Sequence, residues 1–194
     1  MKRNKIFGVF GRKGSGKSHK IKKMISKYAR VLVYDTMDEY TEMLAFYTWD
    51  ELVSYLEKHK EGTFKCAYIP KDVKNDITKF CNAALIVGDC LTVIEEADLV
   101  CNPAKIQDGF NSLMRRGRHS NVDIVFVSQR PYGINRLLTS QSDELICFKM
   151  NEKRDIDFIT DFCGDNAKEA IQNLKKYHYL VWTDGDIKIN KPIN

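Results

Sequence analysis

The sequence predicts an α/β fold with a mostly parallel central sheet flanked by helices. Apolar strand patterns alternate with helical ones along nearly the whole chain, as in sheets covered on both faces. The first strand runs directly into a glycine-rich loop that opens a helix. No repeat, low-complexity tract or linker interrupts the 194 residues, so residues 1–194 read as one domain.

The elements follow in order. Lys5 to Phe10 is a short apolar strand. Lys17 to Ala29 is a helix, because Ile21, Met24, Ile25 and Tyr28 recur at helical spacing. Arg30 to Tyr34 is a strand ending at Asp35. Trp49 to His59 reads as a helix, Phe64 to Ile69 as a strand, and Val73 to Val87 as a helix with Ile77, Phe80, Cys81, Ala84 and Leu85 inward. Leu91 to Ile94 is a buried strand that ends in Glu95-Glu96. Pro103 to Arg116 is expected to be helical, with proline in its first turn. Val122 to Ser128 and Leu145 to Met150 are strands, and Lys153 to Phe162 and Ala167 to Lys176 are helices. Tyr179 to Ile189 forms a hairpin across Asp184-Gly185.

Composition is that of an ordinary globular domain, 43% hydrophobic and 29% charged. No stretch approaches the length of a membrane span. The basic start, Met1 to Lys5, is not followed by a long apolar run, so no secretory signal is expected. Six cysteines lack C-x-x-C spacing, and the four histidines are scattered. A zinc site is therefore not expected, and the thiols suit a reducing cytoplasm. Net charge is +5, compatible with a polyanionic partner. Basic residues are dense early, from Lys2, Arg3 and Lys5 through Arg12, Lys13, Lys17, Lys20, Lys22, Lys23, Lys27 and Arg30. They read as a solvated helix face plus phosphate contacts.

Gly11 to Ser18 reads G-R-K-G-S-G-K-S. Glycines permit positive φ, so successive backbone N–H groups can wrap phosphates. The following helix points its positive end at the anion. The spacing assigns Lys17 to the β- and γ-phosphates and Ser18 to magnesium. Gly11, Arg12, Lys13, Gly14, Ser15, Gly16, Lys17, Ser18 and His19 are the candidate nucleotide-binding residues, and ATP with Mg2+ the implied ligands.

Leu91 to Glu96 (L-T-V-I-E-E) has the form of a Walker B strand. Glu95 would hold the metal through water, and Glu96 would polarise the attacking water. The first acid is more often aspartate, which leaves the division of labour between the two glutamates open. Val122 to Gln129 is a strand ending in an amide; in additional-strand P-loop ATPases such a strand lies between the loop strand and the Walker B strand, and that likeness implies Gln129 near the γ-phosphate and the attacking water. Before it stand Arg115, Arg116 and Arg118. Arginine stabilises phosphoryl-transfer charge when it reaches the γ-phosphate. At the end of this helix it would more naturally reach a neighbouring subunit's nucleotide, and Arg118 is the first choice, with Arg116 and Arg115 as alternatives.

Four stretches together resemble the FtsK–HerA superfamily of P-loop ATPases. They are Gly11 to Ser18, V-Y-D-T-M-D-E-Y (Val33 to Tyr40), V-I-E-E-A-D (Val93 to Asp98) and R-R-G-R-H-S-N-V-D-I-V-F-V-S-Q-R-P (Arg115 to Pro131). The second is similar to the HerA-type D-x-x-G-E-Y segment, with Asp38 where glycine is usual. The match spans roughly residues 5 to 165. Without a barrel domain or membrane helices, the chain looks most like the stand-alone, A32-like viral genome-packaging ATPases. The resemblance implies a RecA-like, additional-strand P-loop NTPase that assembles into a hexameric or pentameric ring. It implies double-stranded DNA as partner, Arg118 acting in trans, and contact with capsid or vertex proteins. The host cytoplasm, with transient residence at a capsid vertex, is the expected location.

Three other readings fit less well. Zot-like assembly ATPases usually carry a membrane segment. Small-molecule or nucleotide kinases carry an arginine-rich lid and no paired Walker B acids followed by S-Q-R-P. A non-catalytic nucleotide-binding module would not need Lys17, Ser18, Glu96 and Gln129 together. E-E-A-D also resembles the helicase D-E-A-D box, but such helicases need a second RecA-like domain. Lys71, Lys74, Lys79 and Arg136 are candidates for lining a DNA pore. Lys188 and Lys191 are candidates for docking a capsid or a neighbouring subunit.

Overall fold

The structure is a computed structural model that describes residues 4–192; Lys2 and Arg3 of the basic N-terminus lie outside the described residues. In chain order the elements are β1 (Ile6–Phe10), α1 (Lys17–Ile25), β2 (Arg30–Tyr34), β3 (Leu44–Phe46), α2 (Trp49–Lys58), β4 (Phe64–Tyr68) and α3 (Val73–Val87). There follow β5 (Leu91–Ile94), β6 (Cys101–Asn102), β7 (Lys105–Ile106), α4 (Asp108–Arg116), β8 (Asp123–Ser128), α5 (Arg136–Ser140) and β9 (Glu144–Phe148). The last are α6 (Lys153–Cys163), α7 (Asn166–Asn173), β10 (Tyr179–Thr183) and β11 (Asp186–Asn190).

Nine strands form one sheet in the order β11-β10-β9-β1-β8-β5-β2-β4-β3. From β9 to β3 every pairing is parallel, and β10 and β11 add an antiparallel edge. β8 lies between β1 and β5, which is the additional strand expected from the sequence. The C-terminal ends of β1, β8, β5 and β2 therefore share one edge, where ligands of open α/β sheets bind.

Strand periodicity divides the core. Ile6, Phe10, Leu32 and Tyr34 face a large cluster with α2, α3, α4, α6 and α7. Phe7, Val9, Val31 and Val33 face the other side, covered by α1 through Ile21 and Ile25 and by Tyr40. Capping fixes the helices on the first side. Asp72 accepts from the N–H groups of Lys74 and Asn75, and Thr48 accepts from Glu51 N–H. The final hairpin turns at Asp184 (φ 48°) and Gly185 (φ 91°), the positive-φ pair a two-residue turn requires. All six cysteines are buried and unpaired. Among the described residues no helix is long and apolar enough to cross a membrane.

Several sequence expectations need correction: the strand expected to reach Met150 ends at Phe148, and the helix expected to reach Lys176 ends at Asn173. The helix expected from Pro103 begins only at Asp108, because Asn102 accepts from Ala104 and Lys105 N–H and closes a turn. Pro103 sits in the tip of the β6–β7 ribbon instead. The first helix also stops early, at Ile25 rather than Ala29, where the Lys27 and Tyr28 N–H groups bond only three residues back.

Candidate active site

β1 delivers Gly11 to the sheet edge, and the chain turns through positive φ at Gly11 (150°), Gly14 (72°) and Gly16 (107°) before α1 begins. Gly11 has a second constraint: a Cβ there would lie 2.6 Å from Phe148 Cβ and 2.8 Å from Ser15 Oγ. α1 has no acidic residue in its first turn, so its positive end is left for an external anion. Lys17 is buried, and its ammonium donates to the carbonyls of Gly11 (2.8 Å) and Arg12 (3.3 Å). Burial lowers its pKa from the ordinary lysine value, against the opposing pull of Glu96, Glu95 and Glu39. Ser15 is also buried, and its Oγ has no partner within the chain, which suits a hydroxyl reserved for a bound phosphate or its ion.

The acids arrive from β5. Glu95 is buried, and its Oε1 accepts the Tyr40 hydroxyl. Burial pushes the Glu95 carboxyl up to about 7; Tyr40 opposes the shift, and Glu39, Glu96 and Asp35 add to it. Glu96 holds a left-handed backbone (φ 44°, ψ 55°) that non-glycine residues seldom adopt. That turn carries its carboxylate to the end of β8, where Gln129 Nε2 donates to Oε1 at 2.6 Å. Ser128 closes the same corner by donating to Asp98 at 2.7 Å and accepting from Arg130 N–H at 2.9 Å.

β2 contributes a third wall that the sequence placed only by resemblance. Asp35, fully buried, accepts from the N–H groups of Met37 (3.2 Å) and Tyr40 (3.0 Å). The chain turns there through Asp38 at φ 54°, a conformation that glycine adopts without cost and other residues seldom do. The turn sets Glu39 against Ser18, whose Oγ donates to Oε2 at 2.9 Å. Lys22 donates to the Glu39 carbonyl and to Glu42.

The fold is that of the P-loop ATPases. Genome packaging NTPase B204 of Sulfolobus turreted icosahedral virus 2, solved with AMPPCP, superposes with a TM-score of 0.83 at 23% identity, covering 100% of both chains. VirB4 of Thermoanaerobacter pseudethanolicus superposes with a TM-score of 0.69 at 12% identity, covering 98% of this chain and 90% of that one. In sequence, the chain is 24% identical over 183 residues to protein P9 of Pseudoalteromonas phage PM2, covering 90% of this chain and 83% of that protein. It is 23% identical over 133 residues to DNA packaging ATPase P9 of Enterobacteria phage PRD1, covering 65% of this chain and 57% of that protein. No protein-family model matches. The likeness is to stand-alone viral packaging ATPases.

A cleft of about 290 Å3 opens beside the loop, lined by Gly16, His19, Phe148, Tyr177, Tyr179 and Pro192. Three aromatic rings there offer stacking surface for a nucleobase. Of the lining side chains the sequence marks only His19; the rings come from β9 (Phe148), the approach to β10 (Tyr177) and β10 itself (Tyr179). Arg12, Lys13 and His19 are exposed.

The arginines lie elsewhere. Arg115 and Arg116 end α4, and Arg118 follows in the 3-10 turn before β8. β8 has six residues between that turn and Gln129, a rise of about 20 Å. Arg118 therefore belongs to the opposite sheet edge from its own phosphate loop. It is exposed and donates to His119 at 3.3 Å, while Arg115 donates to Asn111. Several early basic residues serve the fold: Lys20 reaches the Tyr179 hydroxyl, and Arg30 donates to the Lys60 and Gly62 carbonyls. Of the pore candidates, Lys79 pairs with Asp76 and Arg136 with Asp161, and Lys71 and Lys74 are exposed around the start of α3. Lys188 and Lys191 are exposed on and after β11.

Proposed function

We propose that this chain is an ATPase that drives double-stranded DNA into a viral capsid, working at the subunit interfaces of a hexameric or pentameric ring. The observation that carries the reading is the convergence of Lys17, the Glu95-Glu96 pair and Gln129 at one sheet edge. The similarity to DNA packaging ATPase P9 and to packaging NTPase B204 supports the DNA-packaging part.

The loop amides from Gly11 to Ser18 take the triphosphate, and the aromatic cleft takes the base. Lys17 moves its ammonium from the Gly11 and Arg12 carbonyls to the β- and γ-phosphates. Ser18 and Glu95 would hold magnesium, Glu95 through water, and the ion when bound neutralises phosphate charge. Among the described residues no three His, Cys, Asp or Glu side chains converge as a ready-made cation site. That suits an ion held largely by the nucleotide's own oxygens. Glu96 orients and deprotonates the attacking water, and Gln129 fixes the Glu96 carboxylate. Arg118, far from its own loop, serves the γ-phosphate of the adjoining subunit. Capsid or vertex proteins are the remaining partners, in the host cytoplasm and at a capsid vertex.

The deciding experiment measures phosphate release with and without double-stranded DNA. Stimulation by DNA, without any small phosphoryl acceptor, is the expected result. Turnover unchanged across DNA concentrations, or phosphate passed to a small molecule, refutes the motor reading. Lys17→Ala should weaken nucleotide binding, and unchanged binding would mean the loop does not hold the triphosphate.

A further inference from the structure

Two adjacent residues of the turn after β2 grip the two side chains that the proposed function assigns to magnesium. Glu39 Oε2 accepts the Ser18 hydroxyl at 2.9 Å, and the Tyr40 hydroxyl donates to Glu95 Oε1. We propose that the turn Asp35–Tyr40 is the positioning element of the metal site, orienting Ser18 through Glu39 and Glu95 through Tyr40. The inference rests on the assignment of Ser18 and Glu95 to the metal.

The chemistry runs the same way at both contacts. A neutral hydroxyl binds a cation through its oxygen lone pairs, so its proton must be directed elsewhere. Glu39 takes that proton as a hydrogen bond and leaves the Ser18 oxygen free as a ligand. Tyr40 occupies one oxygen of Glu95 and leaves Oε2 outside the contact, which fixes which oxygen faces the site. Tyr40 is itself buried, so its ring cannot swing away without vacating the core.

The turn is built for this. Asp35 is fully buried at the end of β2 and accepts two N–H groups of its own loop, one of them from Tyr40. Tyr40 is thus tied at its backbone to β2 and at its hydroxyl to the end of β5. Lys22 of α1 donates to the Glu39 carbonyl and holds the same turn against the helix that carries Ser18. A turn that served packing alone would need the Tyr40 ring but neither the hydroxyl nor the Glu39 carboxylate, which is exposed.

The test uses Mn2+ as a spectroscopic substitute for Mg2+, since both are bound by hard oxygen ligands. Mn2+ affinity is titrated by electron paramagnetic resonance in the presence of a non-hydrolysable ATP analogue, and analogue affinity is measured separately in EDTA. Tyr40→Phe and Glu39→Ala should each weaken Mn2+ binding about tenfold, as removal of groups behind a metal ligand does. Neither should change analogue affinity in EDTA, and Glu39→Gln, which keeps an acceptor oxygen, should recover part of the loss. Mn2+ affinity within about twofold of wild type in either folded variant overturns the proposal, judged against the about tenfold loss expected. Should Tyr40→Phe fail to fold, the exposed Glu39 position still decides. Ser18→Ala and Glu95→Gln are the controls for the underlying assignment. If they leave Mn2+ binding intact, the metal assignment itself fails; if they weaken it while the turn variants do not, only the turn's role fails.

Discussion

Gln129 donates its side-chain amide to Glu96 Oε1 at 2.6 Å, joining the ends of β8 and β5. Gln129 is the first residue after β8 and Glu96 the second after β5, two strands paired in register with Ile94 opposite Phe126, so sheet register sets their separation. Glu96 reaches this contact only through a left-handed backbone, a conformation that costs about 1–2 kcal/mol for a non-glycine residue. The strain places the second acid beside the amide rather than beside Glu95, and so gives two adjacent glutamates different neighbours. Glu95 meets a buried tyrosine, and Glu96 meets a half-exposed glutamine.

This contact predicts how turnover depends on the pair. Glu96→Gln should lower the rate of phosphate release by about 10²–10⁴-fold, the usual contribution of a positioned base. Binding of a non-hydrolysable analogue should persist. Gln129→Ala should cost less, and the double variant should be no slower than Glu96→Gln alone, because the amide acts through the carboxylate. Fully multiplicative losses in single-turnover assays would show that the two act independently.

Much of this architecture is readable from residue pattern. β2, α3 and β5 fall on the residues that apolar spacing marks, and the parallel order around β1, β8 and β5 follows from the motifs at their ends. Where the pattern fails, a local side-chain bond has intervened. Asn102 caps a turn and converts the expected start of α4 into a ribbon. β3 is three residues on a sheet edge, too short for any period to register. The contacts of Glu39 and Tyr40 depend on the Asp35 turn, which places residues far apart in sequence within reach of one another. The aromatic cleft gathers Phe148, Tyr177 and Tyr179 from separate elements, a proximity created by β9–β10 pairing.

Glu95 makes stability depend on pH. Its carboxyl is raised to about 7 in the fold, mainly by burial, from an ordinary value of 4.5. The folded state therefore holds this proton more tightly than the unfolded state. The stability so gained is fully present below pH 4.5 and is lost as pH rises through about 7. The loss is at most about 3 kcal/mol. Glu95→Gln should flatten the fall in melting temperature between pH 5 and 8 in nucleotide-free protein, in which ordinary carboxylates are already ionised at the top of the range. An identical fall in the variant would place the titrating group elsewhere.

Gly109 supplies a packing prediction. It lies on α4 against α3, and a Cβ there would stand 2.4 Å from Thr78 Cα and 2.5 Å from the Thr78 carbonyl oxygen. Backbone cannot yield as a side-chain tip can, so α4 must shift away from α3. Gly109→Ala should cost about 2–3 kcal/mol by urea unfolding, despite the helix propensity alanine adds. A neutral effect would mean that the two helices are more loosely packed than these distances imply.

Arg118 gives the test of work between subunits. It stands at the opposite sheet edge from the phosphate loop of its own chain, so no side-chain motion carries it across the length of β8. Arg118→Ala should therefore keep nucleotide affinity and lose turnover, since the lost group would stabilise only the transferring phosphoryl. Glu96→Gln subunits are also inactive, but they carry an intact Arg118. Mixed with Arg118→Ala subunits, they create interfaces where an intact arginine meets an intact Glu96, about one interface in four at equal mixing in a closed ring. Phosphate release should rise above that of either variant alone and depend on the mixing ratio. No recovery at any ratio would remove Arg118 from the interface, and the same mixing with Arg116→Ala and Arg115→Ala would then decide which arginine of the α4 end reaches the neighbouring nucleotide.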